Sequence, residues 1–395
     1  MKKYRLVNGK LIAGSAVLKS ADILVAEGKI EDIVPSFAEV SSDYRVIDAG
    51  GCYVSPGFVD IHQHGGGGSD YMDSDPGAYY RITEAHLRHG TTAVLPTALS
   101  AGRDSIFRAI DNYHAAKADR RIRVNLLGLH LEGPYLSPEF AGAQRPEYLR
   151  GYDLMEYRAF IERGAGDICR MSTAPELPGM AAFADFAVRH GITLSIAHSA
   201  ADFDTVLRAY ELGFRHVTHL YSCMSSITRR GGFRIAGVLE AAYYLDGMNV
   251  EIIADGCHVP ESLLKYAVKF KPLGTISLIT DAMRAAGQQV SESFLGSLDD
   301  PTPVIIEDGV AKLPSREAFA GSIATADRLV RTMLGCGVAV QDAVKMVTEN
   351  PLASMGLTVR KGSLKKGFDA DIIFFDENVN VKQVILGGEL LNFEK

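Results

Sequence analysis

Short runs built around apolar, often β-branched residues alternate along the middle of the chain with longer segments whose apolar positions recur every three or four residues. The runs fall at 59–61, 93–95, 124–131, 192–197, 216–219, 249–253 and 275–280. Strands that are apolar on both faces belong to a parallel sheet with helices packed outside it. The helical segments fall at 76–89, 103–117, 180–190, 203–212, 261–269, 322–335 and 340–347. Strand and helix in turn over this length predict a (β/α)8, TIM-like barrel across 55–355.

The two ends of the chain read differently. Apolar and polar positions alternate in the β manner at 4–7, 21–26, 29–34 and 45–48, with Asn8-Gly9, Glu27-Gly28 and Gly50-Gly51 as turns between them. The same style returns at 370–375 and 381–386, punctuated by Gly362, Gly367 and Gly387-Gly388. The fold class expected is therefore α/β: a catalytic barrel with a small β-sandwich domain formed by both termini, residues 1–54 and 356–395. Segment 284–313, rich in Gly, Ser, Asp and Pro, is expected as a loop or hairpin over the barrel mouth.

Composition narrows the class of function. The chain has 395 residues, of which 47% are hydrophobic, which is more than a barrel of about 250 residues needs and leaves material for the second unit. A formal charge of −7 argues against a nucleic-acid partner. The five cysteines (Cys52, Cys169, Cys223, Cys257 and Cys336) form no C-x-x-C pair, which fits a reducing cytosol. Neither a signal-peptide apolar core nor a bilayer-length apolar stretch is seen, so a cytoplasmic protein without a membrane partner is expected.

Six residues stand at or just past the ends of apolar runs: His62, His64, Glu132, His198, His219 and Asp281. A parallel barrel carries its strand ends to one face, where its chemistry sits. Imidazoles with carboxylates suit zinc or iron rather than magnesium or calcium, so the spacing points to a metal-dependent hydrolase. Side chains alternate along a strand, so His62 and His64 share a face and can grip one ion; alone, the pair reads equally well as a solvated strand end. The four glycines at 65–68 let the chain turn away beneath it. No Gly-Lys-Ser/Thr follows them, which rules out a phosphate loop. Glu132 precedes Gly133-Pro134, and a carboxylate at a buried strand end needs a cation or donors. His130, two residues earlier, belongs either around the ligands or to a polar layer of the barrel. Asp281 can take a proton from water and return it to a leaving amine, although capping a turn is a common use of aspartate. His258, in Asp255-Gly256-Cys257-His258, either holds a substrate carbonyl or lies in a surface loop. Arg229, Arg230 and Arg234, around Gly231-Gly232, suit either a phosphate or a solvated loop.

Seven motifs occur in order along essentially the whole chain. They are Pro56-Gly57-Phe58-Val59-Asp60-Ile61-His62-Gln63-His64, Gly128-Leu129-His130-Leu131-Glu132-Gly133-Pro134, Ala197-His198-Ser199, Thr218-His219-Leu220-Tyr221, Ile253-Ala254-Asp255-Gly256, Thr280-Asp281-Ala282-Met283 and Ala320-Gly321-Ser322. In this ordered set the chain resembles the amidohydrolase superfamily, and within it the deacetylases that act on N-acetylglucosamine 6-phosphate.

The resemblance implies hydrolysis of an acetamide to acetate and an amino sugar phosphate. It implies Glu132, His198 and His219 as ligands of the main divalent metal, and His62 and His64 at a second position, so one or two ions of zinc or iron. It implies Asp281 as general base and then acid. Substrate contacts would come from His258, Arg230, Ala143, Ser222, Cys223, Phe319, Ala320 and Gly321, with the arginine reaching in from a neighbouring subunit of a homodimer. The superfamily's carboxylated lysine is absent, since no lysine lies at 167–176; Glu132 would supply the bridging carboxylate. One departure stands out: the family's usual Leu-Tyr-Asn-Ala-Met is here Leu220-Tyr221-Ser222-Cys223-Met224. It leaves N-acetylgalactosamine 6-phosphate as an alternative substrate, beside a non-catalytic sugar-phosphate-binding protein.

Overall fold

Eight parallel strands form the centre of the computed structural model, which describes residues 3–393. They are β1 (Phe58–Gln63), β2 (Thr91–Ala98), β3 (Leu129–Glu132), β4 (Ile168–Thr173), β5 (Thr193–Ile196), β6 (Phe214–Val217), β7 (Asn249–Ile253) and β8 (Ile276–Ile279). Each pairs in parallel with the next in chain order. A parallel bridge between Gln63 and Ala282 closes the ring. Every residue of β1, β2, β3 and β8 is buried, as expected of strands with a filled interior on one side and helices on the other.

One helix follows each strand: α1 (Ala78–Leu87), α2 (Arg103–Ala118), α3 (Leu154–Gly164), α4 (Met180–Arg189), α5 (Phe203–Glu211), α6 (Val238–Tyr244), α7 (Glu261–Phe270) and α8 (Ala326–Gly335). Two of them, α3 and α6, are absent from the pattern read along the sequence. In α3 the buried face is Tyr157, Phe160, Ile161 and Gly164, a proper helical spacing, but the exposed Leu154 and Met155 blur its edge. Asp153 starts it by accepting from the Glu156 backbone N–H, an N-cap. The helix α6 has only seven residues. The apolar run 124–131 also proves discontinuous: Asn125–Leu126 pairs with β2, and β3 begins only at Leu129. Gly128 separates them at φ +140°, where a Cβ would meet the Cys169 sulfur at 2.5 Å.

The terminal segments assemble as expected. A four-stranded sheet has the order Lys29–Pro35, Ala21–Ala26, Tyr4–Val7, Arg45–Asp48. A six-stranded sheet places Ile372–Phe375 antiparallel to Tyr53–Pro56, which joins the two ends of the chain. Alternation along Ile372–Phe375 divides its labour: Ile372 and Phe374 face the small domain's core, while Ile373 and Phe375 belong to the barrel's core. The Phe375 ring lies 5.4 Å from that of Tyr53 and 6.4 Å from that of Phe58 on β1.

The segment after β8 is a three-stranded antiparallel sheet, Glu292–Leu295, Thr302–Glu307 and Val310–Lys312. It packs through Leu295, Val304 and Ala311 on Met283, Ala285 and Ala320, and so roofs the barrel mouth. Among the described residues no helix is long and apolar enough to cross a membrane. Phe375 is the buried joint between the terminal sheet and the barrel, so Phe375→Ala is expected to cost about 3–5 kcal/mol of stability, read as a lower urea midpoint.

Candidate active site

The sequence places each site residue at the carboxyl end of a strand, and the fold brings those ends together. His62 and the residue just past β1, His64, point to one side, with their Nε2 atoms 3.3 Å apart. Glu132, the last residue of β3, lies between them and two further imidazoles. Its Oε1 is 3.0 Å from His219 Nε2, 3.4 Å from His198 Nε2 and 3.6 Å from His62 Nε2; its Oε2 is 3.4 Å from His64 Nε2. Asp281 Oδ1 is 3.1 Å from His64 Nε2 and 3.5 Å from His62 Nε2. All six side chains are buried or nearly so.

His198, His219 and Asp281 share a backbone feature that their sequence does not advertise. Their φ values are +44°, +32° and +48°, a left-handed conformation that non-glycine residues adopt at a cost and that concentrates at functional sites. Each sits just beyond its strand, where the reversal turns the side chain inward over the mouth.

The arrangement fits a metal ion. Donor atoms about 2.0–2.1 Å from one tetrahedral ion stand roughly 3.3 Å from each other, which is the spacing found here. The ring partners point the same way. His198 Nδ1 bonds the Phe140 carbonyl at 2.8 Å, His64 Nδ1 bonds the Thr97 carbonyl at 3.2 Å, and His62 Nδ1 bonds Glu251 Oε2 at 3.3 Å. Donation from Nδ1 leaves a lone pair on Nε2. The two facing lone pairs of His62 and His64 then repel unless a cation lies between them. Two triads meet these conditions, His62–His64–Glu132 and Glu132–His198–His219.

The electrostatics carry the same demand. Burial works against a charge on Glu132, but His62, His198 and His219 outweigh it and hold the carboxyl well below the usual range. Asp281 is likewise penalised by burial yet lowered by His62 and His64. With protons as the only source of positive charge, burial opposes one on His64, and Asp281 and Glu132 still push its pKa up to about 9. Two carboxylates in a buried site call for cations, whether protons or a metal.

Beneath the candidate ligands lies a polar layer, of which the sequence reading raised only His130. Arg170 of β4 is fully buried and ion-paired to Glu251 of β7, the residue that holds His62. Arg170 also donates to Ser195 Oγ at 3.0 Å and Thr218 Oγ1 at 3.2 Å. His130 belongs to this layer, bonded to Thr97 Oγ1 and Ser172 Oγ. The signal in the sequence was a single charged residue within each segment, Arg170 in Ile168–Thr173 and Glu251 in Asn249–Ile253. Gln144 was missed too; it donates to Glu132 Oε2 at 2.7 Å.

Above the ligands opens a cavity of about 360 Å³. Of the expected substrate contacts, Ala143, Ser222, Cys223, His258, Phe319 and Gly321 line it. His258 is fixed through Nδ1 by Asp255 Oδ2 at 2.8 Å, with its ring 4.8 Å from that of Phe319. Ala320 is buried behind this wall. Arg230 is elsewhere, on an exposed hairpin of Thr228–Arg230 and Phe233–Ile235. Among the described residues no lysine or arginine lines the cavity, and Glu139 and Glu317 do.

Residues 53–391 match the model of the amidohydrolase family. The chain is 33% identical over 374 residues to the N-acetylglucosamine-6-phosphate deacetylase of Lysinibacillus sphaericus, covering 93% of this chain and 92% of that protein. It is 30% identical over 398 residues to the Bos taurus enzyme of the same name, covering 98% and 95%. Among solved structures, the N-acetylglucosamine-6-phosphate deacetylase of Pasteurella multocida superposes with a TM-score of 0.90 at 27% identity, covering 98% of this chain and 99% of that one. The Mycobacterium smegmatis deacetylase gives 0.89 at 28% identity, covering 98% and 100%.

The Arg170–Glu251 pair yields a test. Arg170→Met strands a buried carboxylate and is expected to cost about 3–5 kcal/mol. Arg170→Met combined with Glu251→Leu should recover most of that loss in denaturant unfolding; a double variant no more stable than the single one would contradict the pairing.

Proposed function

The chain belongs to the amidohydrolase family, and from that premise we propose that it hydrolyses the acetamide of N-acetylglucosamine 6-phosphate, releasing acetate and glucosamine 6-phosphate. The observation that carries this reading is the sharing of Glu132 by four imidazoles beside Asp281, at the floor of a cavity sized for a small ligand. Glu132, His198 and His219 would hold one divalent ion, zinc or iron, and His62 and His64 with Glu132 a second. Such an ion supplies Lewis acidity: it lowers the pKa of water and polarises a carbonyl.

The chain's own groups do the rest. Asp281, ionised at neutral pH with its Oδ1 3.1 Å from His64 Nε2, accepts the proton of the attacking water. It then gives that proton to the amine nitrogen as the C–N bond breaks, because an amine leaves poorly unless protonated. His258, held by Asp255 at the cavity wall, stands where it can polarise the acetamide oxygen. Phe319 and the backbone at Ala143 and Gly321 form the walls that orient the sugar.

The phosphate needs a cation that this cavity lacks in a single chain. Arg230 of a second copy answers that need. Its hairpin projects from the surface with Phe233 78% exposed and, just before it, Ile227 63% exposed, which supports a homodimer joined near this hairpin. Five unpaired cysteines support a cytoplasmic setting. A second substrate reading, the galactosamine isomer, is favoured by one observation, the Ser222–Cys223 wall of the cavity.

Acetate release from the two sugar phosphates separates these readings; release from neither would sink both. Asp281→Asn should lower kcat about 100- to 10,000-fold with little change in KM, and chelation should abolish turnover until zinc or iron is restored. Arg230→Ala should raise KM for the phosphorylated sugar about 10- to 100-fold. Mixing Arg230→Ala with Asp281→Asn subunits should restore part of the activity, since one hybrid site then has both groups; no recovery would place Arg230 within its own subunit or outside the site.

A further inference from the structure

Gln144 is placed by the chain in a way that ordinary loop packing does not explain. It is 6% exposed and lines the cavity. Its side-chain oxygen accepts from the Ser100 backbone N–H at 3.0 Å, and its Nε2 donates to Glu132 Oε2 at 2.7 Å. The two bonds agree on the amide's orientation: a backbone N–H needs an acceptor and a carboxylate needs a donor. Ser100 Oγ in turn donates to the Glu132 carbonyl at 3.3 Å, so both ends of Glu132 are held from the same side.

The consequence for Glu132 is asymmetric. Gln144 occupies Oε2, the oxygen 3.4 Å from His64 Nε2, and leaves Oε1 toward His219, His198 and His62, at 3.0, 3.4 and 3.6 Å. The same loop supplies the Phe140 carbonyl that orients His198. His62 and His64 take their orienting partners from the barrel instead, Glu251 and the Thr97 carbonyl. Glu132 is common to both metal positions, but Gln144 takes its oxygen on the His64 side, so the freer oxygen serves His198 and His219.

We propose that Gln144 is a positioning residue for Glu132 that acts selectively on the Glu132–His198–His219 position and makes it the tighter of the two. The inference rests on the metal-site reading above. Partners of this kind typically change metal affinity about 10- to 100-fold when removed.

The test is zinc titration of chelated, metal-free protein by calorimetry against a competing chelator. Two backgrounds isolate the positions: His62→Ala leaves the His198–His219 position, and His198→Ala leaves the His62–His64 position. Gln144→Met, which keeps length and loses both hydrogen bonds, should weaken zinc about 10- to 100-fold in the first background. In the second it should change affinity less than threefold. Gln144→Asn keeps the amide but is one methylene too short to span Ser100 and Glu132; it should give the same selective loss should Gln144→Met fail to fold. Equal losses in both backgrounds, or no loss in either, would overturn the inference. Failure of the unsubstituted chain to bind zinc at all would instead overturn the metal-site reading beneath it.

Discussion

Glu132 concentrates the energetic problem of this molecule in one carboxylate. It is buried at the end of β3 with imidazoles of β1, the β5 end and the β6 end within 3.0–3.6 Å of its oxygens. An ionised carboxyl in such a place is tolerated only with opposing charge and saturated hydrogen bonds. The barrel provides for both. Four Nε2 atoms converge on it, and Gln144 takes the remaining lone pair on the cavity side. Side chains from four of the eight strands thus meet at the mouth in a shared demand for a cation.

Geometry of this kind has a backbone cost. His198, His219 and Asp281 all adopt left-handed φ values, each worth on the order of 1–3 kcal/mol of strain. The surrounding structure holds them there. Ser199 and Cys223 are tied through backbone hydrogen bonds, and Asp281 is fixed from both sides, by the His62 carbonyl and the Ser322 N–H. Beneath, the Arg170–Glu251 pair and the hydroxyls of Ser172, Ser195 and Thr218 form a hydrogen-bonded polar layer in the barrel interior in place of apolar side chains. That layer orients the ring of His62 through Glu251.

The hydrolytic and recognition halves of the site are built differently. The candidate metal ligands and Asp281 come from strand ends, which the closed sheet holds firmly. The cavity walls come from loops: the segment carrying Ala143 and Gln144, the turn at Ser222–Cys223, and the roof sheet that leads into Phe319–Gly321. Loops tolerate substitution where strand ends do not. A change such as Ser222–Cys223 can therefore alter what fits without disturbing the chemistry.

Much of this was legible in the sequence because burial writes itself into periodicity. Apolar runs marked all eight strands but the fourth, and the terminal alternation marked the small domain, because a parallel strand must be apolar on both faces and a half-exposed one on a single face. His62, His64, Glu132, His198, His219 and Asp281 were each visible as a polar residue ending an apolar run. What the sequence did not carry is whatever depends on distance across the barrel. Arg170 and Glu251 are 81 residues apart and meet only because β4 and β7 cross the same interior. Gln144 looks like any loop glutamine until Ser100 and Glu132 are seen on either side of it. Composition left Arg230 open between a phosphate and a solvated loop, and its placement outside the cavity emerged only from the fold. Strand identity is a local property, fixed by which side chains a segment can bury; the pairing of charges is not, since it depends on where closure of the ring brings distant strands.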